Sequence, residues 1–253
     1  MIIELKREFY KFNHLRLPKY SFWAILLLTI YGALPTDFVT LSTIANGFGV
    51  FQWIVIIMIG SSAESLAFEY RYHTIIPTIY RCSKRADVYL AKVTILVLYS
   101  ALLIILGFFE TLLVKVLLFR NQYNVWTTIY HHRRLLNVLL INACGAFIYI
   151  LFVVALGLLL FILFKNSALV IAIGIFLAFM GAWISDGIMN SLPEINKIWA
   201  WNPLNMINVV TQLSSSGISK TVCLSAPQLI VGNLIYTLIF ALLGILVLEK
   251  RSI

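Results

Sequence analysis

Six long uncharged stretches divide the chain, and the charged residues gather in short blocks between them. Tyr20–Thr36 runs for 17 residues, Phe38–Ala63 for 26, Leu135–Phe164 for 30, Asn166–Ser185 for 20 and Thr221–Leu248 for 28. The remaining stretch, third in order, begins near Val88 and reaches about Phe109, interrupted by Lys92 near its start. A helix needs about 20 mostly apolar residues to cross a hydrocarbon layer about 30 Å thick. A spanning β-strand would instead alternate apolar and polar positions over roughly ten residues, whereas FIYILFVVALGLLLFILF is continuous. The pattern predicts one all-α integral membrane domain over residues 1–253, with six transmembrane helices. The first span is the shortest, and Tyr20 and Trp23 are placed to anchor its start at the interface.

The segments between spans carry patterns of their own. In residues 1–18, Ile2, Leu5, Phe9 and Phe12 recur at spacings of three, four and three, which stacks them on one helical face. Glu4, Lys6 and Lys11 share the rest of the surface, and Pro18 is expected to close the helix. An apolar stripe beside basic residues predicts an amphipathic helix lying in the inner interface; a helix packed on the protein is the alternative. Only Lys165, Asn166 and Ser167 separate spans four and five, which predicts a tight antiparallel hairpin. The long connection 186–220 contains Trp199 and Trp201, suited to interface depth, and then Asn202-Pro203, a cap followed by a helix start. Leu204, Ile207 and Val210 are expected to share one face of that short helix, which dips into the outer leaflet.

Composition agrees with this reading and excludes others. Apolar and aromatic residues make up 61% of the chain, charged residues 11%, and the mean hydropathy is +0.95. A soluble domain is about 25% charged, and disorder requires low hydrophobicity. The formal charge of +9 would suggest nucleic acid in a soluble protein, but here its distribution matters more. With the N-terminus inside, thirteen Lys and Arg fall in cytoplasmic segments and five in outer ones. That bias places both termini in the cytoplasm of a plasma-membrane protein. Cys82, Cys144 and Cys223 form no close pair and no zinc spacing. The first residues lack the apolar core and small-residue cleavage site of a cleavable signal.

No catalytic residue and no metal site is read from the sequence. The dipeptide Gly-Lys never occurs, so no phosphate-cradling G-x-x-x-x-G-K-[ST] loop is present, and H-E-x-x-H and G-x-S-x-G are absent too. His131-His132 has no Cys or acidic ligand at helical spacing and reads as part of a solvated outer loop. Glu64, Glu110, Lys115 and Asp186 mark span ends and do not form the carboxylate chain of a proton-coupled transporter. No histidine lies inside a span, which argues against an intramembrane protease. Gly174, Ala178 and Ala182 repeat every four residues, a stripe that lets helices approach closely. It serves either packing within the chain or contact with a second copy.

The most informative segment is the cytoplasmic connection 67–87. It mixes the charges of Glu69, Arg71, Arg81, Lys84, Arg85 and Asp87 with Ile75, Ile76, Ile79 and Tyr80, a composition suited to a short helix pressed against another protein. It resembles the second-loop signature of the ABC-2 type exporter permeases: Glu69, Thr74, Pro77, Ser83, Arg85 and Lys92 stand at matching places, and His73 replaces the usual glycine. The resemblance extends to the amphipathic N-terminal helix, the six spans, the inside termini and the outer connection with Asn202-Pro203-Leu204.

This resemblance implies an ABC-2 (type V) exporter permease: a half-transporter with no ATPase motif or cofactor of its own. It would pair with itself or a related permease and work with two copies of a separate ABC ATPase subunit carrying ATP and Mg. Glu69, Arg71, Thr74, Ile76, Tyr80, Arg81, Lys84 and Arg85 would belong to the ATPase-coupling loop, and Leu5, Phe9 and Phe12 to the elbow helix. Spans one, two and five would line the path, and Trp199, Trp201, Pro203 and Leu204 would lie in its outer gate. The implied cargo is amphipathic or hydrophobic, peptide toxins such as phenol-soluble modulins foremost. Bacteriocin or lantibiotic self-immunity, drug or lipid efflux, and a non-transporting scaffold or sensor are the alternatives; nucleic acid is not an expected partner.

Overall fold

The computed structural model describes residues 2–34, 39–72, 85–119, 124–191, 196–214 and 222–250. Its helices, in chain order, are α1 (Ile2–His14), α2 (Arg16–Ala33), α3 (Leu41–Ala45), α4 (Val50–Arg71), α5 (Arg85–Leu118), α6 (Leu135–Phe164), α7 (Ser167–Ser191), α8 (Asn196–Trp199), α9 (Val209–Gln212) and α10 (Ala226–Lys250). Short 3₁₀ turns stand at Gly47–Gly49 and Pro203–Asn208. Among the described residues, the one β ladder is a hairpin, β1 (Ile129–Tyr130) against β2 (Arg133–Arg134). His131 and His132 form its tip, both at positive φ and both exposed.

Among the described residues, five segments are long and apolar enough to cross a membrane: Gly47–Arg71, Ala86–Leu118, Leu135–Phe164, Ser167–Ser191 and Ala226–Lys250. The chain is thus a helical, multi-pass membrane protein. α2, where the sequence places a first span, is not among the five, because Arg16, Pro18 and Lys19 occupy its first turn. Its 18 residues cover about 27 Å. Pro18 does not close α1 as expected. The chain breaks at the extended Leu15, and Pro18 sits in the first turn of α2, where a missing N–H costs no helical bond.

α6 has the ends that the uncharged stretch defines, and it is the hub of the bundle, packing on α10, α4, α5 and α7. A helix that is apolar all round belongs inside, and Leu139, Ile150 and Leu158 are fully buried. α4 and α6 bury 72% and 61% of their most apolar windows within the chain, α7 and α10 only 22% and 17%. The outer helices therefore leave most of their apolar surface to lipid or another protein. The inward face of α7 includes Gly174 and Ala178, while Ala182 is half-buried. A Cβ on Gly174 would collide with the Ile59 side chain of α4, so the small-residue stripe is used at this point for packing within the chain.

Span two departs from the expected single helix over Phe38–Ala63. Thr40 caps α3 in a reciprocal box with Thr43, and the backbone then turns through φ values of 64°, 52° and 83° at Gly47, Phe48 and Gly49 before α4 begins. Two glycines make this left-handed run accessible. α4 then continues past Ala63 to Arg71. Span three is longer too, from Arg85 to Leu118, with Glu110 and Lys115 buried near its end.

The α6–α7 hairpin is as tight as expected. Lys165 takes the left-handed position ending α6, and Asn166 Oδ1 accepts from the backbone N–H groups of Ala168 and Leu169 at 3.0 and 3.3 Å. Lys165 Nζ lies 5.5 Å from the centre of the Tyr70 ring, and Gly244 of α10 packs against Tyr89 of α5. α1, the end of α4, the start of α5, the α6–α7 turn and the last turns of α10 thus share one end of the bundle.

At the other end, the Asn202 side chain accepts from the Asn205 N–H at 2.8 Å, as the Asn-Pro cap predicts. The helix it starts is 3₁₀, with three residues per turn rather than 3.6, and this shifts the inward face. Met206 and Val209 are buried, whereas Leu204, Ile207 and Val210 are half-buried. Asparagines tie this segment down: Asn205 Nδ2 donates to Ala200 O (2.7 Å) and Val222 O (3.0 Å), and Asn233 Nδ2 of α10 donates to Met206 O (3.0 Å).

Candidate functional site

Three helix segments bring four charged side chains together at the α1 end of the bundle. Glu8 and Lys11 lie one turn apart on α1, Glu69 is in the last turn of α4, and Lys92 is in the second turn of α5. Lys92 Nζ donates to Glu8 Oε2 at 2.6 Å and lies 3.0 Å from Glu69 Oε1. Lys11 Nζ donates to Glu8 Oε1 at 2.8 Å and to Glu69 Oε1 at 2.6 Å. Each lysine therefore touches both glutamates, and the four charges close into a neutral ring. Lys92 also donates to the backbone carbonyl of Ser65 at 3.3 Å.

Burial makes this ring consequential. Glu69 and Lys92 are 1% and 2% exposed, and Glu8 is 4% exposed. Isolated charges at such depth are very costly, whereas pairing and hydrogen bonding compensate them. Lys11 lies toward the rim. Burial alone would lower the pKa of its ammonium, but Glu69 and then Glu8 outweigh burial and hold it above the usual lysine value. The cavity beside the ring is about 10 Å³, room for one water at most. The arrangement is thus a clamp rather than a ligand pocket. It fixes α1 to the end of α4 and to the start of α5.

The clamp defines which face of α1 meets the protein. The face turned to the protein carries Glu4, Glu8, Lys11 and Leu15, spaced four, three and four apart. Of the residues expected to form the elbow, Phe9 is 62% exposed, Leu5 is half-buried, and Phe12 packs on the Tyr99 ring of α5 with centroids 4.9 Å apart. The apolar stripe lies roughly 100° around the helix from the charged face, so the two surfaces are presented in different directions. Tyr99 also bonds the Ser21 hydroxyl and donates to Pro18 O at 3.4 Å, holding the α1–α2 corner on α5.

The residues expected in the coupling loop separate in the structure. Glu69 and Arg71 belong to α4, not to a loop, and Glu69 faces inward, so it presents no surface to a docking partner. Arg85 opens α5. Thr74, Ile76, Tyr80, Arg81 and Lys84 lie outside the described residues, as do His73, Pro77 and Ser83. What the structure adds is that both roots of segment 73–84 are gripped by the ring, Glu69 before it and Lys92 after it. Sequence reasoning singled out Glu69 and Lys92 but missed Glu8. The signal was present as Glu4, Glu8 and Lys11 at helical spacing, continuing to Leu15.

At the opposite end, Trp199 and Trp201 are partly exposed and Pro203 begins the 3₁₀ turn. The Trp201 carbonyl accepts from the Tyr236 hydroxyl of α10 at 2.7 Å. The Asn202 side chain donates to Ser185 Oγ of α7 at 3.0 Å. Trp201 and Asn202 are therefore fastened to α10 and α7 by hydrogen bonds. Among the described residues, no group of three or more His, Cys, Asp or Glu stands together as metal ligands.

No curated protein matches the sequence. Residues 9–253, from the middle of α1 onward, match the family described as "Protein of unknown function (DUF2705)", and the chain belongs to that family.

Proposed function

We propose that this chain is the membrane subunit of an ATP-driven exporter of the ABC-2 kind. In this reading it crosses the plasma membrane six times with both termini in the cytoplasm. It pairs with a second permease and carries amphipathic or hydrophobic cargo, peptides foremost, outward. ATP and Mg are held by two copies of a separate ATPase subunit, which dock at the end of the bundle where segment 73–84 leaves α4 and returns to α5.

The observation that carries this reading is the ring of Glu8, Lys11, Glu69 and Lys92. A docking segment transmits force only if its roots are rigidly joined to the elements that must move. Here both roots are joined to α1 by ion pairs of 2.6 Å, Lys11–Glu69 and Lys92–Glu8, and to each other by Lys92–Glu69 at 3.0 Å. α2 supports the sixth span. Ser21, Ile25, Thr29 and Ala33 are buried at four-residue spacing, while Tyr20, Trp23, Leu27 and Tyr31 remain exposed, an aromatic and apolar outer face suited to lipid. The largely uncovered apolar surfaces of α7 and α10 leave room for a second subunit.

Co-expression with a candidate ABC ATPase subunit from the same genome tests the reading. The two are expected to co-purify, and substitution of Tyr80, Arg81 and Lys84 together by Ala is expected to abolish co-purification while leaving the amount in the membrane unchanged. A complex that survives the triple substitution would contradict docking at this segment. An ATPase that never co-purifies with the chain would favour a scaffold or sensor.

A further inference from the structure

A cavity of about 330 Å³ lies toward the outer end of the bundle, among the broken start of α4, the middle of α6, the second half of α7 and residues 207–211. That volume is within the range of small-molecule pockets. Among the described residues that line it none is charged, yet it is not simply greasy. The Tyr149 side chain, 6% exposed, lines it and makes no hydrogen bond among the described residues. Gln52 also lines it without a side-chain hydrogen bond, and Asn208, whose amide donates to Asn205 Oδ1 at 2.8 Å, keeps its carbonyl oxygen available. Phe51, Phe179 and Trp183 supply the apolar part of the lining.

A second cavity, of about 110 Å³, shares Tyr149 as a lining residue and is otherwise almost wholly apolar, with Ile59, Phe152, Leu156 and Phe240 around it. Along α7 the first cavity meets Ala178–Trp183 and the second Val170–Leu177. Tyr149 thus stands where a compartment with unused hydrogen-bonding groups gives way to an apolar one. The Tyr149 hydroxyl has no hydrogen-bond partner among the described residues and lines the cavity, so a ligand hydroxyl or amide can pair with it, whereas a charged ligand that leaves water without a counter-charge is costly. An uncharged molecule with a hydroxyl or amide head and an alkyl chain satisfies both conditions.

We propose that this paired cavity binds one uncharged, single-chain amphipath, its head hydrogen-bonded by Tyr149, Gln52 and Asn208 and its chain directed along α7 toward Ile59. The site belongs to this chain alone and needs no ATPase, so its test is independent of the reading above.

The test is photolabelling of the purified full chain in phosphatidylcholine nanodiscs with a diazirine analogue of dodecanol. Matched analogues of dodecanoate and dodecyltrimethylammonium serve as charged controls. Labelling by the alcohol is expected to be saturable, to be competed by plain dodecanol, and to fall on peptides from the start of α4 and from α6 around Tyr149. Tyr149→Phe together with Gln52→Leu is expected to lower it about fivefold, the scale of one or two lost neutral hydrogen bonds. Ala182→Trp is expected to block it by filling the cavity. If the double variant does not fold, Gln52→Leu alone, at an exposed position, is expected to lower labelling about twofold. Non-saturable labelling, equal or greater labelling by either charged probe, or labelling unchanged by these substitutions would overturn the proposal.

Discussion

Lys92 is 2% exposed, and without Glu8 and Glu69 its ammonium would be stranded among apolar neighbours. Replacing it with Met removes the positive charge between two buried carboxylates. Breaking a buried pair from one side costs about 3–5 kcal/mol, so Lys92→Met is expected to lower the apparent Tm in detergent well below that of an exposed control such as Lys6→Met. Adding Glu8→Leu leaves the neutral Lys11–Glu69 pair and is expected to recover part of the loss, a coupling that a double-mutant cycle measures. The Lys11 ammonium is held above the usual lysine pKa by Glu69 and Glu8, against burial. A group raised on folding contributes in full below its unfolded value and loses that contribution as pH climbs through its folded value. The Tm difference between wild type and Lys11→Met is therefore expected to stay constant from neutral pH toward the ordinary value of 10.5 and to shrink above it. A difference that already fades near neutrality would contradict the pairing. Single residues such as Glu69 and Lys92 were legible as exceptions to an apolar pattern. Their partnership was not, because Lys11 and Glu69 are 58 positions apart and Glu8 and Lys92 are 84 apart.

Among the elements, those governed by continuous apolarity were the most legible. α6 begins and ends where the uncharged stretch does, since nothing within Leu135–Phe164 favours a break. Span two was misjudged because left-handed backbone at Gly47, Phe48 and Gly49 leaves the hydropathy pattern undisturbed. Gly49 sits at φ 83°, where an added Cβ would meet only Trp53 Nε1 at an ordinary 3.6 Å contact, so Gly49→Ala tests conformation largely apart from packing. It is expected to destabilise by about 1–2 kcal/mol, the cost of a left-handed non-glycine residue, read as a lower unfolding midpoint. Loss of no stability would mean that the chain does not turn there. Gly174 tests packing: its added methyl would run into Ile59. Gly174→Ala is expected to cost about 1–3 kcal/mol, and Ile59→Ala, destabilising alone, is expected to make the second substitution much less harmful. Strict additivity would show that α7 does not rest on α4 at this point. The connection 186–220 was legible at its Asn202 cap but not in its inward face, because a 3₁₀ turn changes the periodicity on which a face is read.

For the whole molecule, the order of apolar segments gave a helical membrane protein directly; among the described residues, five of the six predicted spans correspond to helices long and apolar enough to cross a membrane, and the first corresponds to α2, which is not. The charge distribution described which ends of those helices share a side but not that four charges are drawn into one buried ring. That ring joins α1 to the two helices flanking segment 73–84, and it is the mechanical basis for reading the chain as a subunit driven from outside itself. The decisive measurement is ATP hydrolysis in proteoliposomes, comparing the purified chain alone with the chain co-expressed with a candidate ABC ATPase subunit from the same genome. The account predicts no hydrolysis by the chain alone and hydrolysis by the co-purified complex that rises when amphipathic peptide is added. Hydrolysis by the chain alone, or an ATPase that neither binds the chain nor changes its rate in its presence, would contradict it.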